Sequence, residues 1–254
     1  MYIFWIILAI AIWTGFWLWL VYWLLPWFGR QLDADQLSGS LWFFARLYCR
    51  IVHRIRWVGF DQLPPEARRG GKGPVVVVAN HTAGIDPLIV HSGLRRHLRW
   101  LMWEANMHPA LGWLWRHEGM IPVSYGASHD AVTARVAVRH LRSGGAIGIF
   151  PEGSIARPKE ELRPFQPGIG LIAHMGRAPI VVLWIHDTPY TPTAWGSVVR
   201  TSHSVVEYVG TYRIEKGEDP AQVSERIRHM LADRSGWPLV DESLLVEDQD
   251  AASH

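Results

Sequence analysis

The chain has 254 residues, enough for one large α/β domain with a full core, which excludes a peptide hormone, a disulfide-stapled mini-protein and a long repeat array. Hydrophobic residues make up 49% and charged residues 19%, too apolar a balance for a disordered chain. A formal charge of +2 and a pI near 8.8 fall short of the basic footprint of a nucleic-acid binder, so no nucleic-acid partner is expected.

Residues 1–29 form an uninterrupted apolar run with no charged side chain before Arg30, longer than the roughly 20 residues a helix needs to cross a bilayer core. The segment is predicted to be a membrane-inserted helix, either spanning at a tilt or re-entrant. Absence of a basic n-region and of a small-x-small site argues against a cleaved signal peptide. Trp5 and Trp27, near its ends, suit the bilayer interface, and the first basic residues follow it, which places the rest of the chain on the cytoplasmic face of the cell membrane. Residues 30–60 come next as a basic amphipathic helix. Leu41, Phe44, Tyr48, Ile51 and Ile55 recur at three- and four-residue spacing, with Arg46, Arg50 and Arg54 along another face. Such a helix either lies on an anionic membrane surface or packs on the domain that follows.

A linker with Pro64, Pro65 and Gly70–Gly71 opens the predicted soluble α/β domain, residues 61–240. Continuous β-branched runs at 75–79, 146–150 and 180–185 read as strands buried on both faces. Between them residues 130–142 carry Val132, Val136 and Leu141 at helical spacing, with Ser128 as N-cap and Gly144 as stop. A last helix is expected over 220–233 with Val223, Ile227, Met230 and Leu231 inward, and Met175 and Trp184 are assigned to the core. Strands alternating with helices give a largely parallel, helix-flanked α/β sheet. Residues 241–254 form an acidic, solvated tail. The single Cys49 allows no internal disulfide, and no His/Cys cluster has metal-ligand spacing, so no metal is expected.

The first buried strand runs into Asn80-His81-Thr82-Ala83-Gly84-Ile85-Asp86-Pro87. On a regular helix, His81 and Asp86 would point about 140° apart. A turn at Gly84 lets them meet, with Asp86 as N-cap and Pro87 in the first helical position. An aspartate on one ring nitrogen fixes the tautomer and leaves the other as a general base toward a hydroxyl. The second strand ends in Phe150-Pro151-Glu152-Gly153-Ser154, and Gly119 to Tyr125 reads as a further edge of the pocket. Open α/β sheets hold their ligands at such strand ends.

These blocks, in this order, resemble the glycerolipid acyltransferase family, the lysophosphatidic acid acyltransferases and their relatives. The resemblance covers residues 70–190: Asn80-His81 and Asp86 fit its Asn-His-x4-Asp block, Gly119 to Tyr125 the second, Phe150 to Ser154 the third, and Ala178 to Val182 the fourth. It implies the glycerolipid-acyltransferase fold and transfer of an acyl chain from acyl-CoA or acyl-carrier protein to a lipid hydroxyl, with no cofactor. His81 and Asp86 would be catalytic. Asn80, Gly119, Tyr125, Phe150, Pro151, Glu152, Gly153, Ser154 and Arg157 would contact substrate. No Gly-x-Ser-x-Gly elbow occurs and Cys49 lies in the basic helix, so direct attack on the thioester is the simpler chemistry. Backbone N–H groups of the 152–154 turn would serve the oxyanion, and Glu152 would orient the turn or the acceptor.

The sequence departs from the family where Ala83 replaces a serine and where Tyr125 and Ile155 stand at the phosphate-binding arginines. Arg157, Lys159 and Arg163 are the candidates to replace those arginines; otherwise the acceptor carries a different head group. The rival readings are an acyltransferase for a lyso-aminolipid or glycolipid, a catalytically silent lipid-binding relative, and a thioester hydrolase using water in place of the alcohol.

Overall fold

The structure, a computed structural model, describes residues 2–30, 32, 34–124, 127–156, 160–215 and 217–241, with the side chains of 127–130 and 221 left out. The chain begins with α1 (Tyr2–Trp19), which passes through a π-helical turn at Leu20–Leu24 into α2 (Leu25–Gly29). Pro26 accounts for that turn. A proline in a helix lacks its N–H and crowds the carbonyl one turn back, and here Leu25 N–H reaches Leu20 O instead. The whole helix, Tyr2–Gly29, is long and apolar enough to cross a membrane, and its most apolar stretch is not buried by the protein.

α2 folds back on α3 (Gln36–Val52), whose first turn is capped by Asp35 accepting from Leu37 N and Ser38 N. The two helices cross where a Cβ on Gly39 would come within 2.4 Å of Gly29 Cα, so only glycine fits. α3 packs on the domain through its arginine side. Arg46 bonds Ser92 O and lies 4.1 Å from the Trp57 ring centre, while Arg54 bonds His203. Tyr48 turns inward as well, against the first core. What remains outward is an apolar row, Leu37, Phe44, Leu47 and Ile51.

The sheet strands are β1 (Arg56–Val58), β2 (Val75–Ala79), β3 (Arg99–Trp103), β4 (Ile121–Val123), β5 (Ala146–Ile149), β6 (Ile180–His186) and β7 (Val205–Tyr212). They lie in the order β1-β7-β6-β2-β5-β3-β4, and every neighbouring pair is parallel except β6 with β7. β1 joins this sheet ahead of residue 61, so the sheet takes in part of the stretch read as interfacial. β2 is central and buried at all five positions, as its unbroken Val-Val-Val-Val-Ala run requires. Each such valine contributes about 1.5–3 kcal/mol by leaving water.

Helices α4 (Asp86–Gly93), α5 (Gly112–His117), α6 (Ala127–Arg142), α7 (Gly168–Gly176), α8 (Gly196–Val199) and α9 (Pro220–Ser235) complete the fold. Residues of α3 and α4 pack with Val75, Val77 and Ala79 in one core; residues of α6, α7 and α9 pack with Val76 and Val78 in the other. α6 ends as expected, Gly144 taking φ of 84° and donating to Leu141 O, whereas the Ser128 cap falls on a side chain outside the described residues. α9 buries Val223, Ile227 and Leu231. Met175 corrects the assignment to the core: it lies exposed beside Leu171 in a shallow groove between α6 and α7.

Candidate active site

α4 leaves the end of β2 on one side of the sheet to reach β3, and α7 leaves the end of β5 on the other to reach β6. The chain therefore diverges between β2 and β5, the place where parallel sheets open a crevice. The loops after both strands meet there. His81 N–H donates to Glu152 Oε1 at 3.0 Å, and His81 O accepts from Ala156 N at 2.8 Å, so the residue is gripped on both sides by the loop after β5.

The imidazole Nδ1 sits 2.9 Å from Asp86 Oδ2, with Asp86 fully buried and the His81 side chain 16% exposed. The same carboxylate oxygen accepts from Thr82 N at 2.6 Å and Ala83 N at 2.8 Å. Asp86 thus departs from its expected capping role. It is the first residue of α4, behind an Ile85 cap, because its carboxylate is already committed to the preceding turn and the imidazole. Gly84 lets that turn pass Ala194, where a Cβ would come within 2.4 Å of the Ala194 carbonyl oxygen.

Asn80 corrects a second expectation. Its Nδ2 donates to Ile185 O at 2.8 Å and its Oδ1 accepts from Ile185 N at 2.7 Å, with no exposed surface. The side chain stands in for a strand residue and ties the His81 turn to β6, so it has little left to offer a substrate. Pro151 is likewise buried, its carbonyl accepting from Gln166 N.

Glu152 is 2% exposed, and burial pushes its carboxyl up to about 8; the nearby Asp86 pushes the same way, while the His81 N–H and, more weakly, Arg163 and Arg228 oppose. Arg163 is itself buried beside this loop, 6% exposed. Gly153, with φ of 79°, spends its N–H on Phe150 O, which removes it from the expected oxyanion donors. Ser154 Oγ is buried and finds no partner among the described residues. Phe150 lies flat on the imidazole, ring centres 4.2 Å apart at 14°.

Gly119 is not brought to this cluster. It precedes β4, hence lies toward the opposite end of a parallel sheet, and it packs on Arg99. Tyr125 and Arg157 fall outside the described residues. Trp100 is buried behind Phe150, and Trp113 is exposed. Burial pushes the Cys49 thiol up to about 11, which disfavours the thiolate that a covalent acyl-enzyme would need. Sequence reading missed Thr82, whose hydroxyl meets Thr188 at 2.8 Å, and the Ile185 backbone. No local pattern announces a partner about 105 residues away.

Residues 54–186, just over half of the chain, match the family model described as Acyltransferase. No curated protein matches the chain. Among solved structures, the crystal structure of the 1-acyl-sn-glycerophosphate (LPA) acyltransferase PlsC from Thermotoga maritima superposes with a TM-score of 0.61 at 14% identity, covering 91% of this chain and 94% of that one. The mixed α/β sheet and its flanking helices are thus of the PlsC type, and the chain belongs to the acyltransferase family of enzymes.

Proposed function

We propose that the protein moves an acyl chain from a thioester donor, acyl-CoA or acyl-carrier protein, to the free hydroxyl of a lysophospholipid, with His81 as general base. The observation that carries the reading is the buried Asp86 held by two backbone N–H groups with its oxygen on His81 Nδ1. With Nδ1 so engaged, Nε2 is the nitrogen left for chemistry. It takes the hydroxyl proton as the oxygen attacks the thioester carbonyl. The tetrahedral oxyanion then collapses, the C–S bond breaks, and the imidazolium returns its proton to the leaving thiolate. Asp86 stabilises that imidazolium while it exists. Ser154 Oγ, without a partner among the described residues, would be a donor for the oxyanion.

An acceptor like the one in the PlsC name, 1-acyl-sn-glycerophosphate, is the first to test. Ile155 at a position where the family places arginine, together with the burial of Arg163, favours a second reading in which the acceptor lacks a simple phosphomonoester head group. Apolar α1 and the outward row Leu37, Phe44, Leu47 and Ile51 suit a protein held at a cell membrane, where both acceptor and product reside. Its catalytic domain would then work on the cytoplasmic face, where a soluble donor arrives.

The test is thiol release from each donor by detergent-purified protein, offered a panel of lysolipids, with a His81→Ala variant alongside. Acceptor-dependent release that falls about 10²–10⁴-fold in the variant supports the reading. Undiminished release from His81→Ala refutes the base; release without any acceptor indicates hydrolysis.

A further inference from the structure

We infer that Trp100 is a positioning residue for the catalytic imidazole, acting through Phe150; the inference rests on His81 being the base. A single hydrogen bond at Nδ1 leaves the ring free to tilt, since such bonds tolerate tens of degrees and the terminal torsion of histidine is broad. Phe150 closes off one face by lying flat against it, ring centres 4.2 Å apart at 14°. Yet Phe150 stands one residue beyond β5, past the last residue of the strand itself. What backs its ring is Trp100, stacked on it at 4.9 Å and 13°. Three nearly parallel rings therefore run from β3 across the end of β5 to the end of β2.

Two details of the neighbourhood indicate that the tryptophan serves this stack. Trp100 pairs in register with Gly148 on β5, and a Cβ at Gly148 would come within 2.5 Å of the indole, so β5 gives up a side chain to let the ring in. The indole is 3% exposed, and its Nε1 finds no hydrogen-bond partner among the described residues. A buried unsatisfied N–H is a cost. Flat aromatic area, rather than the polar handle for which buried tryptophan is usually selected, is what the position uses.

The experiment compares Trp100→Leu, Trp100→Phe, Phe150→Leu and the double Trp100→Leu/Phe150→Leu in the acyl-transfer assay, with melting temperatures measured for each. Trp100→Leu is expected to lower kcat on the order of 10- to 100-fold, as misplacement of a reacting group does, with KM for donor and acceptor within about twofold. Trp100→Phe restores a flat ring, and its kcat should stay within about threefold of wild type. Because Trp100 acts through Phe150, the double variant should be no slower than Phe150→Leu alone. Wild-type kcat in Trp100→Leu, additive losses in the double variant, or an equal loss in Trp100→Phe would each overturn the inference. An active His81→Ala enzyme would instead remove the base on which it stands.

Discussion

Glu152 is a carboxyl that the fold keeps mostly protonated near neutrality, since burial raises it to about 8. Its Oε1 receives the His81 N–H, a task that a neutral amide performs equally well. Glu152→Gln should therefore keep kcat within about threefold of wild type, whereas Glu152→Ala strands that N–H and costs about 1–3 kcal/mol of stability. The pH dependence has a definite sign. The folded state holds a proton that the unfolded chain, with an ordinary value of 4.5, has released, so this contribution is fully present below 4.5 and is lost as pH rises through about 8. Melting temperature should fall between about pH 4.5 and pH 8 in the wild type and fall less in Glu152→Gln; parallel curves would show that the group does not carry the effect. Residue roles were unevenly legible in the sequence. His81 with Asp86 could be paired from a five-residue spacing and a turn, but Asn80 could not be told from a substrate ligand, because its partner Ile185 lies on a strand remote in sequence.

At the scale of elements, the hairpin of α2 and α3 depends on one contact that no side chain can enter. Gly39→Val would drive methyl groups into the Gly29 backbone and Phe28 O, both of which lie within 2.5 Å of the place a Cβ would take, and should destabilise the hairpin by about 1–3 kcal/mol. A lowered melting temperature in detergent, with the unfolded baseline unchanged, would show it; an unchanged transition would mean the helices can part at no cost. Elements with strong internal periodicity, such as β2 and α9, were readable because burial on both faces or on one stripe dictates their composition. β3, β4 and β7 were not. β4 is three residues long with a central proline, β3 opens on an arginine, and β7 is only half buried, so their strand character comes from neighbours rather than from their own pattern. The inward face of α3 was hidden for a related reason. Periodicity shows that a helix has two sides, but which side meets the domain was settled by Trp57 and the Ser92 carbonyl, which accept Arg46.

The molecule as a whole has a polar end, where the loops after β2 and β5 meet, and an apolar flank made by α1 and the outer row of α3. If that flank is the membrane face, Phe44→Glu with Ile51→Glu should reduce partition onto phospholipid vesicles about 10-fold or more while leaving the melting temperature nearly unchanged, since both side chains already meet solvent, 56% and 65% exposed. Partition equal to wild type would place the attachment in α1 alone. The α/β class and the strand-end location of the site were legible because strand and helix signals alternate along the chain; the strand order was not, since it is fixed by crossovers that no single segment records. The grip on His81 has one further consequence, in time rather than in space. With its N–H on Glu152, its carbonyl on Ala156 and its neighbour Asn80 stitched to β6, the turn that carries His81 is fastened to the loop after β5 on one side and to β6 on the other. Its amides should exchange with deuterated solvent only as slowly as those of β2 itself, through opening of the whole domain. If His81 is the base proposed above, it does not have to fold into place at each turnover, and the slow motions would belong to substrate entry and release.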